Sequence, residues 1–126
     1  MKTVLVVEDD ERIQDLFSEF IRGRGHRVHT AQDGQAAVEA ARKTHFDLVL
    51  MDVKLPTRDG FSAAEEIRVL SPGTDVVLVT GYRPGEALTR AAEAGVVTCL
   101  RKPVLFKDLE AVLDRPVPGE VERSEP

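Results

Sequence analysis

The stretch Asp47-Leu48-Val49-Leu50-Met51-Asp52, followed by Val53-Lys54-Leu55-Pro56-Thr57-Arg58-Asp59-Gly60, decides how this chain is read. Leu48 to Met51 are apolar without alternation, as expected of a strand buried on both faces. Such a strand belongs to a parallel sheet with helices on either side, and it delivers its last residue to the carboxyl edge where open α/β folds keep their ligands. An ionisable Asp52 at that edge costs free energy unless a partner neutralises it or some chemistry uses it.

Outward from this run the pattern repeats. Apolar runs at Val4–Val7, Val28–Thr30, Leu48–Met51, Val76–Val79 and Val96–Leu100 alternate with helix-like segments. The first segment, Glu11–Arg22, places Ile13, Leu16, Phe17, Phe20 and Ile21 on one helical stripe expected to face the core, with Gly23 and Gly25 ending it. The second runs over Gly34–Lys43 after Asp33 as its cap, and the third over Gly60–Leu70 between an Asp59 cap and Ser71-Pro72-Gly73. The fourth lies near Gly85–Ala94, and the fifth follows Pro103 over Val104–Leu113. Alternating strands and helices predict an α/β fold, a single doubly wound five-stranded parallel sheet with right-handed crossovers and helices on both faces.

The chain has 126 residues, enough for one domain with one core. A net charge of −5 offers no broad basic face and argues against direct nucleic-acid binding. No apolar run approaches the ~20 residues of a membrane span. The start Met1-Lys2-Thr3 does not read as a signal peptide, and the lone Cys99 makes no internal disulfide, so the expected compartment is cytoplasmic. Residues 1–114 are read as the domain, and 115–126 as a disordered tail or linker stub.

Polar residues gather at the carboxyl ends of the strands: Glu8-Asp9-Asp10 after the first, Asp52 on the third, Thr80-Gly81 after the fourth, and Arg101-Lys102-Pro103 after the fifth. Converging carboxylates repel and call for a cation. Oxygen ligands without His or Cys suit Mg²⁺, which favours phosphate-bearing partners. A carboxylate beside Mg²⁺ can attack a phosphoryl group and become an acyl phosphate, while an ammonium balances phosphoryl charge and a hydroxyl senses the product. Asp52, Asp9, Lys102 and Thr80 supply these four roles. Each residue alone has a plain structural role, as a cap, a strand end or a surface lysine. Their joint placement on successive strand ends is what argues for chemistry.

These frames, Leu5-Val6-Val7-Glu8-Asp9-Asp10, Leu50-Met51-Asp52-Val53-Lys54-Leu55-Pro56 with Asp59-Gly60, Thr80-Gly81-Tyr82 and Lys102-Pro103, resemble the receiver domain of two-component response regulators from Lys2 to Leu113. The resemblance implies a flavodoxin-like fold with strand order 2-1-3-4-5. It implies that Asp52 takes phosphate from a histidine kinase or a histidine phosphotransfer protein. Asp9, Asp52 and the Lys54 carbonyl would ligate Mg²⁺, with Glu8 acting through water. Lys102, joined to Pro103 by a cis peptide bond, would pair with phosphoryl oxygens. Thr80 would close on the phosphate and reshape a face made by helix four, strand five and helix five, where a downstream protein target docks. Such a domain signals by binding, as a monomer or weak dimer, and its only chemistry is self-phosphorylation and autodephosphorylation.

The chain departs from the family where a Tyr or Phe usually stands three residues before the lysine, because Cys99 stands there. A thiol is too small to relay the switch as a ring does, and Tyr82 is a possible substitute from another strand end. Gly95-Val96-Val97-Thr98 lacks the aspartates that receivers of transcription factors use to dimerise. Two other functions stay open: an interaction module independent of phosphorylation, and an aspartyl-phosphate hydrolase. Against the second, Asp52-Val53-Lys54 puts lysine where haloacid-dehalogenase-like phosphatases carry an acid. His26 and His29 read as surface histidines and not as a metal pair, and His45 as a turn residue before the third strand that implies no relay to Asp52.

Overall fold

Runs of Val, Leu and Met cannot leave both faces in water, and three such strands pair here with two more polar ones into one five-stranded parallel sheet, in the order 2-1-3-4-5. The computed structural model describes the backbone of residues 1–81, 84–95 and 98–116, and side chains within those segments except 84–88. In chain order the elements are β1 (Thr3–Val7), α1 (Glu11–Gly23), β2 (Arg27–Ala31), α2 (Gly34–Lys43), β3 (Leu48–Asp52), α3 (Gly60–Leu70), β4 (Asp75–Thr80), α4 (Pro84–Glu93), β5 (Thr98–Arg101) and α5 (Phe106–Leu113). The expectations that rest on Tyr82, Val96, Val97 and residues 117–126 lie outside the described residues.

β3 is the centre of the sheet and every residue of it is buried. Its alternate side chains feed two cores. Leu48 and Leu50 join Val4, Val6, Val77 and Val79 under Phe17, Ile21, Leu109 and Val112, so α1 and α5 cover one face. Val49 and Met51 join Leu5, Val7, Val76 and Leu78 under Ala37, Val38, Ala63, Ile67 and Ala91, so α2, α3 and α4 cover the other. Each fully buried Val, Leu, Ile, Phe or Met side chain contributes about 1.5–3 kcal/mol by leaving water, and each alanine less.

Helix starts follow the expected caps. Asp33 accepts from Ala36 N–H and Asp59 from Ser62 N–H. Three boundaries and faces differ from expectation. The buried side of α1 is Gln14, Phe17, Ser18 and Ile21, whereas Leu16 is half exposed. The apolar arc is wider than the face the sheet can cover: on its outer flank Ile13 and Leu16 line a cavity with Pro103 and Val104, and the Phe20 ring stacks on Phe106 of α5 with centroids 4.4 Å apart. Gly23 is the last helical residue, and the left-handed turn falls on Gly25 at φ 93°. α5 begins at Phe106 because Leu105 is extended and its N–H donates to the Asp108 carboxylate at 3.1 Å.

Arg115, the first residue of the expected tail, is tied to the sheet. Its guanidinium donates to both carboxylate oxygens of Asp75, the nearer at 2.5 Å, and to Thr98 Oγ1 at 2.7 Å. Its carbonyl accepts from Lys2 Nζ. Asp75 keeps only 14% of its side-chain surface exposed, so removing its partner strands a largely desolvated charge. Arg115→Ala is expected to lower unfolding stability by about 2 kcal/mol in urea titration.

Candidate functional site

The carboxyl edge of the sheet collects what the sequence spreads out. At the end of β1 the Glu8 N–H donates to the Ala31 carbonyl at 3.1 Å, which fixes the start of the loop into α1. The three acids of that loop then divide their work. Asp10 caps α1, accepting from Arg12 N–H at 2.9 Å. Glu8 turns inward, 4% exposed, with its Oε2 accepting the Asp10 N–H at 3.0 Å. Asp9 is exposed at the rim.

Asp52 is buried at the end of β3, 5% exposed. Its Oδ2 accepts from Lys102 Nζ at 2.8 Å and its Oδ1 from the Lys54 N–H at 3.2 Å. One carboxylate oxygen from each of Glu8, Asp9 and Asp52 lies within 4.8 Å of the others. Lys102 is held in place by its own N–H donating to the Thr80 carbonyl at 2.9 Å, and the bond to Pro103 is cis. Thr80, 3% exposed, follows Val79, the residue of β4 in register with Asp52. Glu8, Asp9, Asp52, Thr80 and Lys102 therefore share one end of the sheet. Lys54 reaches the cluster through its N–H, with its side chain on the exposed surface. Cys99 is half-buried against the α2–α4 side of the core, and burial pushes its thiol pKa up.

Crowded carboxylates show in the ionisation of the site. Burial pushes the Glu8 pKa up to about 7; the Asp10 N–H opposes this, and the charge on Asp52 and a hydrogen bond with Asp9 add to it. Burial disfavours the Lys102 ammonium, but the hydrogen bond and charge of Asp52, with Glu8 and Asp9 behind it, outweigh burial and raise its pKa. Three hard oxygen donors without a nitrogen or sulfur donor match the preference of Mg²⁺ and not that of zinc or copper.

A carboxyl group whose folded pKa is raised favours the neutral form in the folded state. The stability given by protonated Glu8 is present below about pH 4.5 and lost as pH rises to about 7. In metal-free protein, Glu8→Gln should therefore raise the unfolding free energy at pH 8 by about 2 kcal/mol, with most of the gain gone at pH 5. Thermal unfolding at the two pH values checks this. Equal gains at both would contradict it.

One residue of this region escaped the sequence pattern. Gln14 lies on the buried face of α1, where its amide reaches the loop that carries Glu8 and Asp9. The only signal was a polar residue at helical spacing from Phe17, Ser18 and Ile21, which looks like a break in an apolar stripe.

Residues 4–114 match the profile of the family described as the response regulator receiver domain. The chain belongs to this family. The receiver is 36% identical over 112 residues to the transcriptional regulatory protein ZraR of Escherichia coli K12, covering 89% of this chain and 25% of ZraR. It is 40% identical over 111 residues to the transcriptional regulatory protein PdtaR of Mycobacterium tuberculosis H37Rv, covering 86% of this chain and 53% of PdtaR. The chain thus spans about half or less of these relatives. Among solved structures, it superposes with a TM-score of 0.82 on the receiver domain of the sensor histidine kinase PA1611 from Pseudomonas aeruginosa PAO1, at 31% identity over 90% of this chain and 95% of that one. That structure has a magnesium ion coordinated in its active-site cleft. The fold is the expected flavodoxin-like, CheY-like one, with its strands in the order 2-1-3-4-5. Among the described residues of the receiver, no helix is long and apolar enough to cross a membrane.

Proposed function

We propose that this receiver accepts a phosphoryl group on Asp52 and signals through the change in charge and shape that follows. The observation that carries the reading is the buried Asp52 carboxylate, 2.8 Å from the Lys102 ammonium and clustered with oxygens of Glu8 and Asp9. Mg²⁺ fits this donor set: Asp9, Asp52 and the Lys54 carbonyl would hold it with Glu8 behind, and when bound it would neutralise phosphoryl oxygens. An Asp52 oxygen attacks phosphorus, a new P–O bond forms as the P–N bond of a phosphohistidine breaks, and the electron pair returns to the donor imidazole, which takes up a proton. Lys102 transfers its ion pair from the carboxylate to the phosphoryl oxygens. Thr80, buried beside them, hydrogen-bonds the new dianion. Hydrolysis of the acyl phosphate resets the domain.

The donor is a histidine kinase or a histidine phosphotransfer protein, and the listener is a protein that docks on the face of α4, β5 and α5. With Cys99 in place of a ring, the relay to that face runs through the Thr80 and Lys102 side chains and the loop that leaves β5. The protein acts in the cytoplasm as a monomer or weak dimer.

The test is incubation of the protein with acetyl phosphate, with Mg²⁺ or with EDTA, followed by intact-mass measurement. One phosphoryl group is expected with Mg²⁺ and none with EDTA. A folded protein that takes no label under either condition would overturn the reading and favour an interaction module independent of phosphorylation.

A further inference from the structure

The acidic site needs more than three carboxylates. It needs a loop that holds them close although they repel. The backbone of Glu8 is held at both of its polar groups. Its N–H donates to the Ala31 carbonyl at 3.1 Å, and its own carbonyl accepts from Gln14 Nε2 at 3.0 Å. The same Gln14 nitrogen donates its second proton to the Ala31 carbonyl at 3.2 Å. One carboxamide thus joins the end of β1 to the end of β2, and the site loop hangs from the joint.

The chemistry of the amide fixes its orientation. Both acceptors are carbonyls, so only the NH₂ side of the side chain can face them, and both of its protons are used. Gln14 is 7% exposed, so water does not readily replace it. Its backbone makes the first helical bond of α1, the Gln14 N–H donating to the carbonyl of the cap residue Asp10 at 2.9 Å. The side chain therefore closes a ring of hydrogen bonds across Glu8, Asp9 and Asp10, seated on the first turn of α1.

We propose that Gln14 is a positioning residue for the cation site: its carboxamide fixes the Glu8 carbonyl, and through it the spacing of the Glu8 and Asp9 carboxylates. The inference rests on the Mg²⁺ site of the proposed function. Without the amide, the Glu8 carbonyl loses its buried donor and the loop relaxes to find another. Glu8, Asp9 and Asp52 then lose their fixed spacing, and the cation loses its prearranged oxygens. Outer partners of this kind typically alter metal affinity by about 10–100-fold.

The experiment is a calorimetric titration of the protein with Mg²⁺, well below its unfolding temperature. Gln14→Met keeps the length and apolar body of the side chain and removes both donors. Ile21→Val serves as a control that loosens the same helix face without touching the loop. Gln14→Met is expected to weaken Mg²⁺ binding by roughly tenfold, and Ile21→Val by less than about twofold. Unchanged affinity in Gln14→Met, or an equal loss in Ile21→Val, overturns the assignment. Should Gln14→Met fail to fold, Gln14→His keeps one donor and is read the same way: a loss of about threefold or more supports the role, and unchanged affinity overturns it. A wild-type protein that binds no Mg²⁺ would instead overturn the proposed cation site itself. Phosphoryl labelling plays no part in this readout.

Discussion

Asp52→Asn is expected to abolish Mg²⁺-dependent phosphoryl labelling while leaving the fold intact. An amide has no anionic oxygen to attack phosphorus, and removing the charge also weakens the pull on a cation. Glu8 and Asp9 do not replace it, because neither holds the contact that Asp52 makes with Lys102 at 2.8 Å. Opposing effects keep stability near that of the wild type. The substitution breaks a partly buried ion pair, which destabilises, and removes one of three crowded negative charges, which stabilises. The net change should stay within about 1 kcal/mol. Intact mass after acetyl phosphate treatment and thermal unfolding check the two halves. Residual labelling at the wild-type level would place the acceptor elsewhere.

Gly60→Ala carries the largest expected loss of stability among single substitutions near the site. A Cβ there would lie 2.4 Å from the Asp52 carbonyl oxygen and 2.8 Å from Val53 Cα, both backbone atoms. Neither can rotate away as a side-chain tip could. Gly60 N–H also donates to the Val53 carbonyl at 2.7 Å, so backing α3 away from β3 breaks that bond as well. The expected loss is about 3 kcal/mol or more in urea unfolding, together with weaker Mg²⁺ binding because the displaced backbone carries Asp52. Gly23→Ala is the contrast. Gly23 ends α1 with nothing within 4 Å of its Cβ position, so alanine should be neutral or stabilising by up to about 1 kcal/mol. A loss below about 1 kcal/mol in Gly60→Ala would mean that the β3–α3 junction is softer than its close approach implies.

What the sequence made legible was local or periodic. The buried run Leu48–Met51 and the aspartate caps at Asp33 and Asp59 need only neighbours in the chain to be read. Asp52, Glu8, Asp9, Thr80 and Lys102 could be gathered because a parallel sheet brings every strand's carboxyl end to one edge. What stayed hidden depends on contacts between distant segments. The rotation of α1 that buries Gln14 and Ser18 but exposes Leu16 follows from how the helix sits on the ends of β1 and β2. Arg115 read as part of a charged tail, since nothing in the sequence links it to Asp75. Gln14 was hidden for a related reason: the carbonyls it serves are backbone groups, and no side-chain pattern announces them.

The ties at the two ends of β4 have a mechanical meaning. At its entry Asp75 is clamped by Arg115, and at its exit the Thr80 carbonyl is held by Lys102. Hydrogen bonds to β3 and β5 run along its length. A strand fastened at both ends and on both sides has no freedom to slide. Under the proposed phosphorylation of Asp52, movement would be confined to rotation of the Thr80 side chain and to the loop beyond β5, with β4 as the fixed frame. Amide exchange in Val77, Leu78 and Val79 should accordingly stay among the slowest in the protein, with or without phosphate.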